Sequence, residues 1–205
     1  MTDKTDTRQF ILEAAMARFK HYGYGKTTMS EIAKDCDMSA GNIYRFFPSK
    51  LDIAEAMARK FNAERFQVFA QISREGGPAI DRLYRIIKIN MESTYEKLDS
   101  DPKVLEVAEI ISDERPEFTN ETLAQERIYL SKILEDGVAS GEFAPISSLN
   151  FCAEMIQTAT MKFSYPQLFS QLSLPKLQRE LDGVMDLISA GLKHGCGAVA
   201  AAPAA

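Results

Sequence analysis

The sequence predicts an all-α protein, and three observations predict it. Apolar residues recur at three- and four-residue spacing through almost the whole chain. No segment shows the apolar–polar alternation of a half-buried strand. Glycine and proline clusters at "HYGYG" (21–25), "REGGP" (74–78) and "SGEF" (140–143) cut the apolar blocks into separate helices.

The first helix places Phe10, Ile11, Ala14, Ala15 and Phe19 on one face and ends at the glycines of 21–25. Thr28 and Glu31 have capping-box spacing and open a second helix, Met29–Asp35, with Ile32, Ala33 and Cys36 on its buried side. "CDMS" is a tight turn. Ser39 caps a third helix, Ala40–Phe47, anchored by Ile43 and Phe47 and stopped by Pro48. Ser49 and Asp52 repeat the cap spacing at the start of a long fourth helix carrying Leu51, Ala54, Ala58, Phe61, Val68 and Ile72. Further blocks follow over Pro78–Leu98, Lys103–Ile111, Glu117–Ser140, Ser147–Phe163 and Pro175–Lys193. The expected organisation is a head over 1–50, a connecting helix over 51–76, a helical body over 77–194 and a disordered tail over 195–205.

Composition narrows the classes of function. With 45% apolar residues in 205, the chain supports a packed core and is not a disordered segment. Cys36, Cys152 and Cys196 are scattered and odd in number, which fits a reducing interior and neither a disulfide framework nor a metal site. His21 and His194 have no ligand-spaced partners, so neither metal nor cofactor is expected. No nucleophile motif is present, and an enzyme is not expected. The start has no apolar signal core, and no long uncharged span suits a membrane helix, so a cytoplasmic protein without membrane contact is expected. Net charge is −5, yet residues 1–50 carry eight Lys/Arg against six Asp/Glu, a net +2 that leaves −7 on the rest. Such a head tolerates phosphate; the body does not.

Met29–Asp35 and Ala40–Phe47 are two short helices joined by a tight turn, a helix-turn-helix unit whose second helix enters the major groove of DNA. Ser39 and the free amides of that helix suit phosphate. Ala40 and Gly41 are small enough for close approach. Asn42 and Arg45 are the polar readers, with Arg45 able to fork onto guanine. Tyr44 can offer its hydroxyl to a phosphate, and Lys50 can neutralise another.

Residues 24–60, "YGKTTMSEIAKDCDMSAGNIYRFFPSKLDIAEAMARK", resemble the DNA-binding domain of the TetR family of bacterial regulators. The resemblance is carried by Gly25 with Thr27–Thr28, "EIA" at 31–33, "GNIY" at 41–44 and "FFPSK" at 46–50. Beyond Gly77 it rests on the general helical architecture. It implies a homodimer with three small N-terminal helices, a connecting fourth helix and a C-terminal ligand-binding and dimerisation domain. It implies repression of transcription from double-stranded operator DNA, relieved by a small-molecule effector. Family position puts DNA contacts on Thr28, Ser30, Ser39, Ala40, Gly41, Tyr44, Arg45 and Lys50. Phe46 departs from the pattern, standing where histidine or tyrosine is frequent; it either meets a thymine methyl or packs inward.

The resemblance also implies a dimer bundle built from the last two helices. The residues expected there are Ala153, Ile156, Thr160, Phe163, Leu181, Val184, Ile188 and Leu192. An effector cavity is expected among the middle helices, walled by Met91, Tyr95, Ile111, Phe118, Tyr129, Met155, Thr158 and Met161. Methionine and aromatic walls suit an apolar or aromatic effector. The competing expectations are an activator, a regulator controlled by a partner protein without a small ligand, and a helical protein-interaction module whose helix-turn-helix is structural only.

Overall fold

The computed structural model describes residues 4–100, 102–165, 168–169 and 171–195; of the expected tail only Gly195 lies within them. The described residues form helices α1 (Lys4–Tyr22), α2 (Met29–Asp35), α3 (Ala40–Ile43), α4 (Lys50–Arg74), α5 (Ala79–Ser100), α6 (Pro102–Glu114), α7 (Pro116–Ala139), α8 (Leu149–Thr160) and α9 (Leu174–His194). A 3₁₀ turn, Met161–Ser164, follows α8, and no strand occurs among the described residues.

Two compact units divide the chain. The first runs through Arg65 and takes in Lys97–Thr122; the second comprises Phe66–Glu96 and the residues from Leu123 onward. The expected boundaries at residues 50 and 77 therefore differ from the observed ones. The cause is apolar surface. Val107, Ile111 and Phe118, on α6 and the start of α7, bury in the same core as Ile11, Phe19, Ile32, Ile43, Phe47 and Ile53. Polar bonds reinforce that packing. Arg115 pairs with Asp52 at 3.0 Å, and Lys103 donates to the carbonyl of His21. The head is thus α1 to α3, α4 as far as Arg65, α6 and the start of α7.

Local chemistry sets the helix ends in this unit. Thr28 Oγ1 accepts from the Glu31 amide at 3.3 Å, and the Glu31 carboxylate accepts from the Thr28 amide at 2.8 Å, closing the capping box. At the other end of α2, Asp37 adopts φ +53. The amide of Met38 reaches Ala33 O at 2.8 Å and that of Asp37 reaches Lys34 O at 3.1 Å, the two bonds of a Schellman stop. α3 is shorter than its spacing predicts. After Ile43 the amides of Arg45 and Phe46 bond three residues back instead of four, at 3.1 and 3.0 Å. Pro48 disfavours α geometry at the residue before it, and the tightened turn is the result.

The second unit packs Phe69, Leu83, Ile86, Leu130, Ile133, Phe163 and Leu181 at its centre. Glu142 caps α5, accepting from the amides of Ala79 and Ile80 at 2.6 and 2.9 Å. Buried Arg82 bonds Ser73 O at 3.1 Å and Asp136 at 3.0 Å. A polar thread crosses α5, α7 and α8. Asn90 donates to Glu126 at 3.3 Å, Gln157 donates to Glu126 at 3.2 Å, and Arg127 donates to Gln157 at 3.1 Å.

Candidate nucleic-acid interface

α2 and α3 pack on α1 and each other through Ile32, Ala33, Ile43 and Phe47, which turns their remaining faces outward. Of the nine residues expected to meet DNA, Thr28, Ser30, Ser39, Ala40, Gly41, Tyr44 and Arg45 are exposed. Asn42 and Lys50 are half-buried. Ser39 Oγ accepts from the Asn42 amide at 3.2 Å, so it is the N-cap of α3. Thr28 commits its hydroxyl proton to Glu31 at 2.8 Å. Tyr44 is 51% exposed, and its side chain and that of Arg45 make no hydrogen bond or ion pair among the described residues.

Gly41 is the most informative of these positions. A Cβ added there would meet nothing within 4 Å, and its backbone is not left-handed. Glycine in a helix costs about 1 kcal/mol relative to alanine. Neither packing nor backbone geometry inside the chain asks for it.

Lys50 points the other way. Its ammonium donates to Tyr24 O at 2.6 Å and Thr27 O at 2.8 Å. The expectation of a phosphate contact there meets a side chain already bound inside the head. Phe46 packs inward, half-buried against the head core, and its carbonyl accepts from Arg8 Nη1 at 2.6 Å. Arg8 is a residue that sequence spacing did not single out; nothing in its sequence neighbourhood signals a bond 38 residues away. Around α2, Arg18 pairs with Asp35 and, at 3.5 Å, with Glu31. The carboxyl of Glu31 is held below its ordinary range by the Thr28 hydroxyl, then by the Thr28 amide and, more weakly, the Arg18 charge, against the opposing effects of burial and of Asp35.

The residues expected to form an effector cavity fall in both units. Ile111 and Phe118 belong to the core of the head unit. Met155, Thr158 and Met161 are exposed. Met91 is buried, Tyr95 stacks on Phe169 at 6.4 Å, and Tyr129 packs against Phe66 and Phe69; all of these lie in the second unit. The residues expected in a dimer bundle differ in their exposure. Ala153, Ile156, Thr160, Phe163, Leu181 and Leu192 are buried in the chain's own core, and Val184 and Ile188 are half-buried. The large exposed apolar side chains of this region, among the described residues, are Phe151, Met155, Met161, Leu168 and Leu187. Spacing finds an apolar stripe on a helix but does not say whether the same chain or a second one covers it.

Residues 11–57 match the family model described as bacterial regulatory proteins of the tetR family. Residues 79–185 match the one described as tetracyclin repressor-like, C-terminal domain. The chain is 32% identical over 71 residues to the uncharacterized HTH-type transcriptional regulator YuxN of Bacillus subtilis, covering 35% of this chain and 24% of that protein. It is 24% identical to the HTH-type transcriptional repressor KstR2 of Mycolicibacterium smegmatis, over 75% of each chain. Among solved structures, Salmonella enterica GusR superposes with a TM-score of 0.68 at 21% identity, covering 94% of this chain and 98% of that one. No helix among the described residues is long and apolar enough to cross a membrane. The two matched regions, one over the helix-turn-helix and the other over more than half the chain, establish that this protein belongs to the TetR family of bacterial regulatory proteins and is a DNA-binding transcriptional regulator.

Proposed function

We propose that the chain is a cytoplasmic repressor that holds a palindromic operator as a homodimer and releases it when a small apolar or aromatic molecule binds the second unit. The observation that carries the DNA part is the first turn of α3, where Gly41 answers no internal need and Tyr44 and Arg45 stand exposed beside it. One α3 touches too few base pairs for useful specificity, whereas two set about 34 Å apart read both halves of a palindrome. A second copy would cover Phe151, Met155, Met161 and Leu187, the exposed apolar side chains on α8, the turn after it, and α9.

For the effector, Met91, Tyr95 and Tyr129 offer apolar and aromatic surface in the second unit. The thread of Asn90, Glu126 and Gln157 offers hydrogen bonds to one polar end. Relatives named as repressors agree with the direction of control. An effector that favours one arrangement of the chain by about 1–3 kcal/mol changes operator affinity roughly 5–150-fold. The test is to select operators from genomic fragments with the purified protein and then titrate aromatic and alicyclic molecules into the complex. Release by one of them, with reporter expression rising in a deletion strain, supports the proposal. Reporter expression that falls on deletion makes the protein an activator. Tight binding of such a molecule without any change in operator affinity removes the effector mechanism.

A further inference from the structure

Lys50 opens α4 beside the turn that joins α1 to α2. Its two hydrogen bonds end on carbonyls of that turn, Tyr24 O and Thr27 O. Its ammonium also lies 4.0 Å from the centroid of the Tyr24 ring. The turn is otherwise closed by itself, through the Thr27 amide on Tyr24 O at 3.2 Å and the Thr27 hydroxyl on Gly23 O at 2.9 Å. The next residue, Thr28, is the N-cap of α2 and, with Ser30, one of the exposed groups of the interface. Two charge-assisted bonds and a ring contact hold the ammonium in place, and a phosphate would have to displace them. The charges that act on it are acidic, from Glu106 and Glu114 on α6 and from Glu31 on α2, and they oppose the field it projects toward DNA. Burial pushes the ammonium below its ordinary pKa, as for a group inside the fold.

We propose that Lys50 is a positioning residue for DNA binding. Its ammonium is a strut that fixes the turn between α1 and α2 against the first turn of α4, and so sets where Thr28 and Ser30 stand relative to α3; it does not neutralise a phosphate. The proposal rests on the DNA-binding role of the head. It also makes Lys50 the point at which α4 grips the start of α2.

Two substitutions separate a strut from a phosphate contact, with fluorescence anisotropy on an operator selected by the wild-type protein and on a scrambled duplex, over a range of salt. Lys50→Arg keeps the charge but replaces a compact ammonium with a planar fork that cannot reproduce the two carbonyl bonds and the ring contact. The strut predicts operator binding weakened by roughly tenfold, the loss of one well-placed polar contact, with the salt slope unchanged. Lys50→Met should weaken the operator at least as much, leave the scrambled duplex alone and again keep the slope. Thermal melting confirms that each variant is folded, and Lys50→Arg alone decides the matter where Lys50→Met is not. Full operator affinity in Lys50→Arg overturns the proposal. So does a Lys50→Met slope reduced by about 1.8 per dimer, 0.9 for each phosphate lost, with both duplexes weakened alike. Wild-type protein that prefers no duplex would instead overturn the DNA-binding role itself, and the strut with it.

Discussion

The guanidinium of Arg8, in the first helix, lies over the ring of Phe47, 4.1 Å from its centroid, and bonds the carbonyl of Phe46 at 2.6 Å. One side chain thus holds the last two residues before Pro48. A cation over an aromatic face contributes about 0.5–1 kcal/mol at an exposed site. Arg8→Met should therefore lower stability by about 1 kcal/mol in urea unfolding and weaken operator binding, because the end of the recognition helix loses its clamp. Unchanged operator affinity would show that the clamp has no bearing on α3.

The capping box of α2 makes head stability depend on pH. The Glu31 carboxyl is held below its ordinary value of 4.5, chiefly by the Thr28 hydroxyl, then by the Thr28 amide and Arg18. A carboxyl depressed in the folded state stabilises the fold above its unfolded pKa and loses that contribution as pH falls through its folded pKa. Wild type should exceed Glu31→Gln in melting temperature at neutral pH. The gap should close as the pH is lowered past about 4.5. A gap that stays constant down to strong acid contradicts the role of the charge.

Gly137 is a glycine by necessity. A Cβ there would lie 2.2 Å from Cδ2 and 2.3 Å from Cε2 of the buried Phe143 ring. The backbone bond from Phe143 N to Gly137 O, 3.0 Å long, leaves the ring little room to retreat. Gly137→Ala should destabilise the protein by about 1–3 kcal/mol, the usual range for overpacking. The check is a lower urea midpoint at unchanged m-value. Phe143→Leu in the same chain should recover part of the loss.

The proposed pairing face is open to a direct comparison. Leu187 is 76% exposed, and Ile156 is 4% exposed. Leu187→Glu should leave the fold intact, give monomers in sedimentation and lose tight operator binding. Ile156→Glu should unfold the chain, because it buries an unpaired charge in the core. A Leu187→Glu protein that stays dimeric places the pairing surface elsewhere.

Much of the head was legible in the sequence because its signals are short-range. Thr28 and Glu31 are three residues apart, and the box they predict is the one formed. Ile32, Ala33, Ile43 and Phe47 were expected in the core and are there. The end of α3 was not legible, since Phe47 continues the helical spacing that Pro48 then breaks. The addition of α6 to the head was not legible either. Val107 and Ile111 form the same kind of stripe whichever partner they bury against, and only tertiary packing decides. The same ambiguity puts Ile156, which the chain itself buries, among the expected pairing residues and leaves out Leu187, which is exposed. The charge of Lys50 suggests a phosphate contact, whereas its partners are backbone carbonyls more than twenty residues away, which leave no mark on spacing.

The central claim is that the first turn of α3 meets DNA, and Gly41 tests it most directly. Nothing lies within 4 Å of a Cβ built there, so Gly41→Ala should stabilise the fold, by about 0.5–1 kcal/mol from helix propensity. The measurement is fluorescence anisotropy of wild type and Gly41→Ala on a selected operator and its scrambled duplex, with melting temperatures taken on the same samples. A variant that melts higher and binds the operator at least roughly tenfold more weakly, the loss expected when a recognition helix is held off its bases, is the predicted result. A variant with a higher melting temperature and full operator affinity would contradict the account, because close approach at Gly41 would then not be what the interface requires.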